Sequence, residues 1–171
     1  MIYYNKFIDF LKNHNLLEKE SFIFISNHAK NINYENYEER EFIGCYYEIN
    51  EKGKLISFKV CVPEITNERT LLINIHEYIH ALLLYNMLNK KCDIGLEKEV
   101  LPMLYEKLYI LENEEVSMKE YQHQLIETIN EIGTPEYIIG NELSDKLIMH
   151  TDEEIMKLNK KVKSMVRKLK K

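Results

Sequence analysis

From position 67 to position 93 the chain contains neither Gly nor Pro, and its apolar residues recur at helical spacing. Leu71, Leu72, Ile75, Ile79, Leu82 and Leu83 make up that repeat, which restricts the stretch to a single long helix. Within it stands His76-Glu77-Tyr78-Ile79-His80, an H-E-x-x-H sequence. A helix turns once in about 3.6 residues, so positions i and i+4 share a face and two imidazoles can be aimed at one ion. Glu77 falls beside that face, where its carboxylate can reach a water on the metal without ligating the metal. The stretch therefore predicts a zinc site with His76 and His80 as ligands and Glu77 as general base.

The remainder of the chain is read around this helix. Residues 2–19 predict an amphipathic helix with Ile2, Phe7, Phe10, Leu11 and Leu17 turned inward. Phe22-Ile23-Phe24-Ile25 is a short apolar run that suits a buried strand. Residues 26–40 show little periodicity and read as loop with at most a helical turn, which leaves His28 as a solvated loop side chain. Segments 41–49 and 54–62 are rich in β-branched and aromatic residues and flank Asn50-Glu51-Lys52-Gly53, a hairpin signal. Pro63 closes the second strand, and Thr66 or Asn67 can cap the histidine helix. That helix fades near 89–93, and Gly95 marks a turn.

Beyond it the pattern is helical to the end. The segment from 96 to about 113 contains Pro102, which is tolerated in a first turn and kinks a helix elsewhere. Ser117-Met118-Lys119-Glu120 is a capping box that opens a helix running to Gly133. Thr134-Pro135 offers an N-cap followed by Pro at the first helical position, for a helix to about His150. Thr151-Asp152-Glu153-Glu154 is a second capping box and starts a basic terminal helix. The expected fold class is α+β in one domain over 1–171: a small antiparallel sheet, the hairpin at about 41–62, precedes the H-E-x-x-H helix. A mainly helical half follows, with a basic tail from about 152.

Composition sets limits on partners. With 171 residues, 45% apolar and 30% charged, the chain is a globular protein with one well-packed core. The formal charge of −5 is unevenly spread. From Lys157 onward there are eight Lys or Arg and no acid, which leaves 15 bases against 28 acids, a net of −13, for the rest. No aromatic residues interleave those cations, so the tail reads as a solvated helix end and no nucleic-acid partner is expected. Cys45, Cys61 and Cys92 lack C-x-x-C spacing and indicate neither a disulfide framework nor a thiolate zinc site. The sequence shows no signal-peptide pattern and nothing near the ~20 apolar residues of a membrane span. The expected setting is the cytoplasm, with no membrane partner.

A catalytic zinc needs three protein ligands and an open position. Asp93, Glu97, Glu99, Glu106 and His123 are the downstream candidates for the third. In chain order, H-E-x-x-H, then Glu99-Val100-Leu101-Pro102, then Glu106 resembles the gluzincins, and within them the thimet oligopeptidase and oligopeptidase F family. In that family the ligand Glu is soon followed by Pro, and a second Glu comes two turns later. Here the Pro falls one residue later than in the family pattern. The resemblance implies a zincin-like peptidase with one Zn²⁺, Glu99 as third ligand and Glu106 as a carboxylate that orients a histidine. A second likeness lies at Pro135-Glu136-Tyr137-Ile138-Ile139-Gly140-Asn141-Glu142-Leu143. Related peptidases carry a Tyr and Gly segment on a late helix, and this implies Tyr137 as donor to the oxyanion. The implied substrate is a peptide or protein, laid in extended form beside one strand of the hairpin. Three other readings are a catalytically inactive zincin-fold binding or regulatory module, a regulatory protease that cuts one protein partner, and a metal-free helix whose histidines are hydrogen-bonded.

Overall fold

The computed structural model describes residues 1–52, 54–89, 96–113, 117–132 and 134–148. The readings for Gly53, Cys92, Asp93, Gly95, Gly133, His150 and the basic tail lie outside them. The chain groups into two compact units, Met1–Cys92 and Asp93–Lys171. Among the described residues no helix is long and apolar enough to cross a membrane.

The first unit runs α1 (Ile2–Asn13), α2 (Lys19–His28), β1 (Ala29–Ile32), α3 (Tyr37–Arg40), β2 (Gly44–Ile49), β3 (Leu55–Pro63) and α4 (Glu68–Leu88). Phe7, Phe10 and Leu11 are buried on α1 as the periodicity predicts, but Ile2 is exposed. The helix is also shorter than 2–19. It stops at Asn13, and Asn15 takes a left-handed backbone with φ 56°, a conformation Asn tolerates at helix ends. The Phe22–Ile25 strand is not formed. That run belongs to α2, where Ser21 and Ile25 are buried one helical turn apart and Ile23 is exposed. An apolar run of four is compatible with either structure; the polar residues at 19–21 and 26–28 extend it into a helix.

His28 is likewise not a loop residue. It ends α2, with its ring 4.4 Å from that of Phe24 and its Nδ1 2.7 Å from the Phe24 carbonyl oxygen. The expected loop at 26–40 holds β1 and the single-turn α3. Asn36 caps α3 by accepting from the Glu38 N–H.

The sheet is mixed, not antiparallel, with strand order β1-β3-β2. The hairpin itself forms, β2 against β3 antiparallel, with Cys45 opposite Val60 and a register shift at Glu48/Ile49. The unforeseen β1 runs parallel to β3, from Ala29 opposite Val60 to Ile32 opposite Pro63. A strand paired on both sides loses access to water on both edges. Residues 60–63 of β3 are accordingly all buried. In the turn, the Asn50 side-chain oxygen accepts from the Lys52 and Lys54 N–H groups at 3.0 and 2.9 Å.

Asn67 caps α4 reciprocally. Its side chain accepts from Thr70 N at 2.9 Å, and Thr70 Oγ1 accepts from Asn67 N at 3.1 Å. Leu71, Ile75 and Ile79 are buried along one stripe, and the Tyr78 hydroxyl donates to the Leu16 carbonyl.

In the second unit a 3-10 turn at Leu96–Glu99 leads into α5 (Val100–Glu112), followed by α6 (Met118–Ile132) and α7 (Pro135–Leu147). Pro102 is the third residue of α5, within the first turn, where backbone N–H groups have no helical acceptor and a missing one costs little. Ser117 accepts from Glu120 N at the start of α6, and Pro135 begins α7. Val100, Leu104, Leu143 and Leu147 form the apolar contact between α5 and α7. Lys107 crosses the same contact. Its ammonium donates to the Asn141 carbonyl and Oδ1, to Ser144 Oγ and to Asp145 Oδ1, the last at 2.7 Å.

Candidate metal centre

Two turns into α4 the helical repeat brings His76 and His80 together as expected. Their Nε2 atoms lie 3.0 Å apart and their ring centroids 4.8 Å, with the ring planes 63° apart. Two neutral imidazoles that faced each other with lone pairs only would repel. A separation of 3.0 Å therefore requires either a proton or a cation between the nitrogens. Two zinc-bound nitrogens at about 2.0–2.1 Å in a tetrahedron stand about 3.3–3.4 Å apart. The pair thus fits zinc after a movement of a few tenths of an ångström.

Glu77 is buried on the same helix, and its charge reaches β2. Burial first, then Glu77 and Cys61, pushes the Cys45 thiol up to about 12 from its ordinary value of 9.0. Tyr46 is raised by burial, Cys61 and Glu77. β2 packs against α4, the helix that carries the candidate base. Residues 46–49 of β2 are exposed, and among the described residues the strand pairs with β3 alone.

A thiol held so far above its usual value is unreactive. At pH 8 we expect Cys45 to be alkylated by iodoacetamide about a thousandfold more slowly than in the unfolded chain, because only the thiolate attacks. Mass spectrometry of the alkylated protein reads this rate. The same shift favours unfolding as pH rises from 9.0 towards 12, because the unfolded thiol ionises first.

In the second unit, Glu99 ends the 3-10 turn and its side chain is buried. Glu106, two turns along α5, is also buried and accepts a hydrogen bond from the Tyr121 hydroxyl at 2.7 Å. The neighbouring Glu106 charge and, above all, burial hold the Tyr121 hydroxyl well above its ordinary value, with a smaller effect from Tyr137. Tyr137 is half-buried in the first turn of α7. His123 is exposed on α6 beside Glu127, at 3.5 Å. Asp93 and the Glu97 side chain lie outside the described residues.

A cavity of about 460 Å³ in the first unit is lined by Phe7, Phe22, Val60, Val62, Pro63 and Tyr78 among others. Neither histidine nor Glu77 lines it.

Comparison with protein-family models, with curated proteins and with solved structures finds no match to this chain.

Sequence reasoning named Gly140 within the Tyr and Gly segment but missed Tyr121 and Lys107. Tyr121 gave no signal, since an aromatic at helical spacing reads as core. Lys107 gave none either, because a lysine reads as exposed. Gly140 carried one: an isolated Gly inside a helical pattern marks a packing reason.

Proposed function

We propose that the chain is a zinc-dependent peptidase of zincin-like type in which His76, His80 and Glu99 hold one Zn²⁺. The observation that carries this reading is the Nε2 pair of His76 and His80 on one partly buried helix face, with the buried Glu77 next to His76 in the chain. Support for the third ligand comes from the gluzincin-like order of the sequence and from the burial of Glu99, which is only 4% exposed.

When bound, zinc supplies Lewis acidity, lowering the pKa of water towards neutrality and polarising a carbonyl. Glu77 takes the proton of the attacking water and returns it to the leaving amine. Its buried position beside β2 keeps bulk water from competing for that proton. Tyr137 donates its hydroxyl to the carbonyl oxygen as negative charge develops. Glu106 acts on the site by orientation, held in place by Tyr121.

The substrate is an extended peptide segment. Among the described residues β2 is the hairpin strand at the sheet edge, and it packs against the helix that carries Glu77. Backbone pairing along β2 would seat a peptide with its carbonyl near the base, and the exposed Tyr46 and Tyr47 would contact its side chains.

The test is hydrolysis of a mixed peptide library by the zinc-loaded protein, read as new termini by mass spectrometry. Cleavage products that Glu77→Gln fails to generate are the expected result. Zinc-loaded protein that cleaves no peptide would contradict the peptidase reading and leave a binding module.

A further inference from the structure

Gly140 occupies the middle of α7, where Gly is about 1 kcal/mol less favourable than Ala. Its place is explained by what a side chain would meet. A Cβ built there would stand 2.8 Å from Glu99 Cβ, 2.8 Å from Met103 Sδ and 3.1 Å from the Glu99 backbone carbon. Sulfur at the end of a flexible Met can move aside. The Glu99 Cβ and backbone cannot do so without turning the residue itself.

Nor can α7 readily withdraw. One residue beyond Gly140, the buried Lys107 ammonium grips Asn141, and over the next turn it grips Ser144 and Asp145. Leu143 and Leu147 are packed against Val100 and Leu104. Both attachments fix α7 against α5 immediately beside the point of contact with Glu99. Any side chain at 140 therefore displaces Glu99 in preference to the helix.

We propose that Gly140 is a positioning residue for the Glu99 carboxylate, letting the backbone of α7 press on Glu99 and fix the direction in which that side chain leaves the chain. The inference rests on Glu99 being a zinc ligand. It assigns to Gly140 a task in metal binding that is separate from its part in packing. Residues that orient metal ligands change affinity by about 10- to 100-fold when altered, and that is the size of effect expected.

The experiment measures zinc affinity of the full chain by competition with a chromophoric chelator, and the visible spectrum of the cobalt-loaded protein. Wild type is compared with Gly140→Ala, Glu99→Ala, Leu147→Ala and the double variant Gly140→Ala/Met103→Ala. Gly140→Ala is expected to lose about 10- to 100-fold in zinc affinity and to shift the cobalt spectrum towards that of Glu99→Ala. Leu147→Ala, which removes core contacts two turns away, is expected to lower the melting temperature with wild-type zinc affinity. The double variant relieves the sulfur contact and supplies the measurement even if the single variant folds poorly. Its zinc affinity is expected to stay low, because the contact with Glu99 remains.

Wild-type affinity in Gly140→Ala, or recovery in the double variant, would overturn the inference alone. A wild-type chain that binds no zinc would overturn the metal reading and this inference together.

Discussion

Glu77→Gln is expected to keep zinc at the wild-type level and to lower peptide hydrolysis about 10²- to 10⁴-fold, the usual contribution of a positioned general base. Gln preserves the shape of the side chain and leaves both histidines in place, but its amide accepts no proton at neutral pH. A second readout needs no substrate. Glu77 is one of the groups that hold the Cys45 thiol up, so its neutralisation should lower that pKa and speed alkylation. Burial is the larger cause, and the thiol should remain above its ordinary value. Unchanged hydrolysis in this variant would remove Glu77 from the chemistry. Unchanged Cys45 reactivity would separate it from β2.

Lys107→Ala is expected to destabilise the protein by about 2–4 kcal/mol, through a cavity in a packed contact and the loss of charge-assisted hydrogen bonds. Lys107→Met should cost about 1.5 kcal/mol or less. The difference follows from the partners. Asp145 is 55% exposed and can be rehydrated, and the Ser144 hydroxyl already donates to the Asn141 carbonyl. Only the volume must be replaced, and Met replaces it. Burial lowers the Lys107 pKa and Asp145 opposes that, consistent with a cation held by its acceptors at a desolvation cost. Chemical denaturation of the two variants would read the ranking; equal losses would show that charge, not volume, dominates.

The parts of the fold legible in sequence were those with a local cause. The cap at Asn67, the apolar stripe of α4, the hairpin and the starts of α6 and α7 depend on residues within a few positions of one another. Pro102 alone leaves two choices, a kink inside a longer helix or a place in a first turn, and α5 begins two residues before it. What could not be read depended on distant partners. Phe22-Ile23-Phe24-Ile25 became a helix, where Phe24 meets Phe58 and Tyr85 with ring centroids 5.0 and 5.2 Å away. Strand β1, with only four residues, exists by pairing with β3. Its own sequence, Ala29-Lys30-Asn31-Ile32, has no strand signature.

At the candidate site the same division holds. The helix spacing alone places His76, Glu77 and His80 together. The burial of Glu99 and the Tyr121 bond to Glu106 follow from packing within the second unit, which the sequence pattern does not encode locally.

The central claim is that His76 and His80 share a zinc ion. Metal analysis of protein purified without chelator, beside His80→Ala prepared identically, tests it most directly. About one zinc per chain in wild type and none in the variant is the predicted result. A wild-type chain without zinc, or a variant that keeps it, would contradict the assignment.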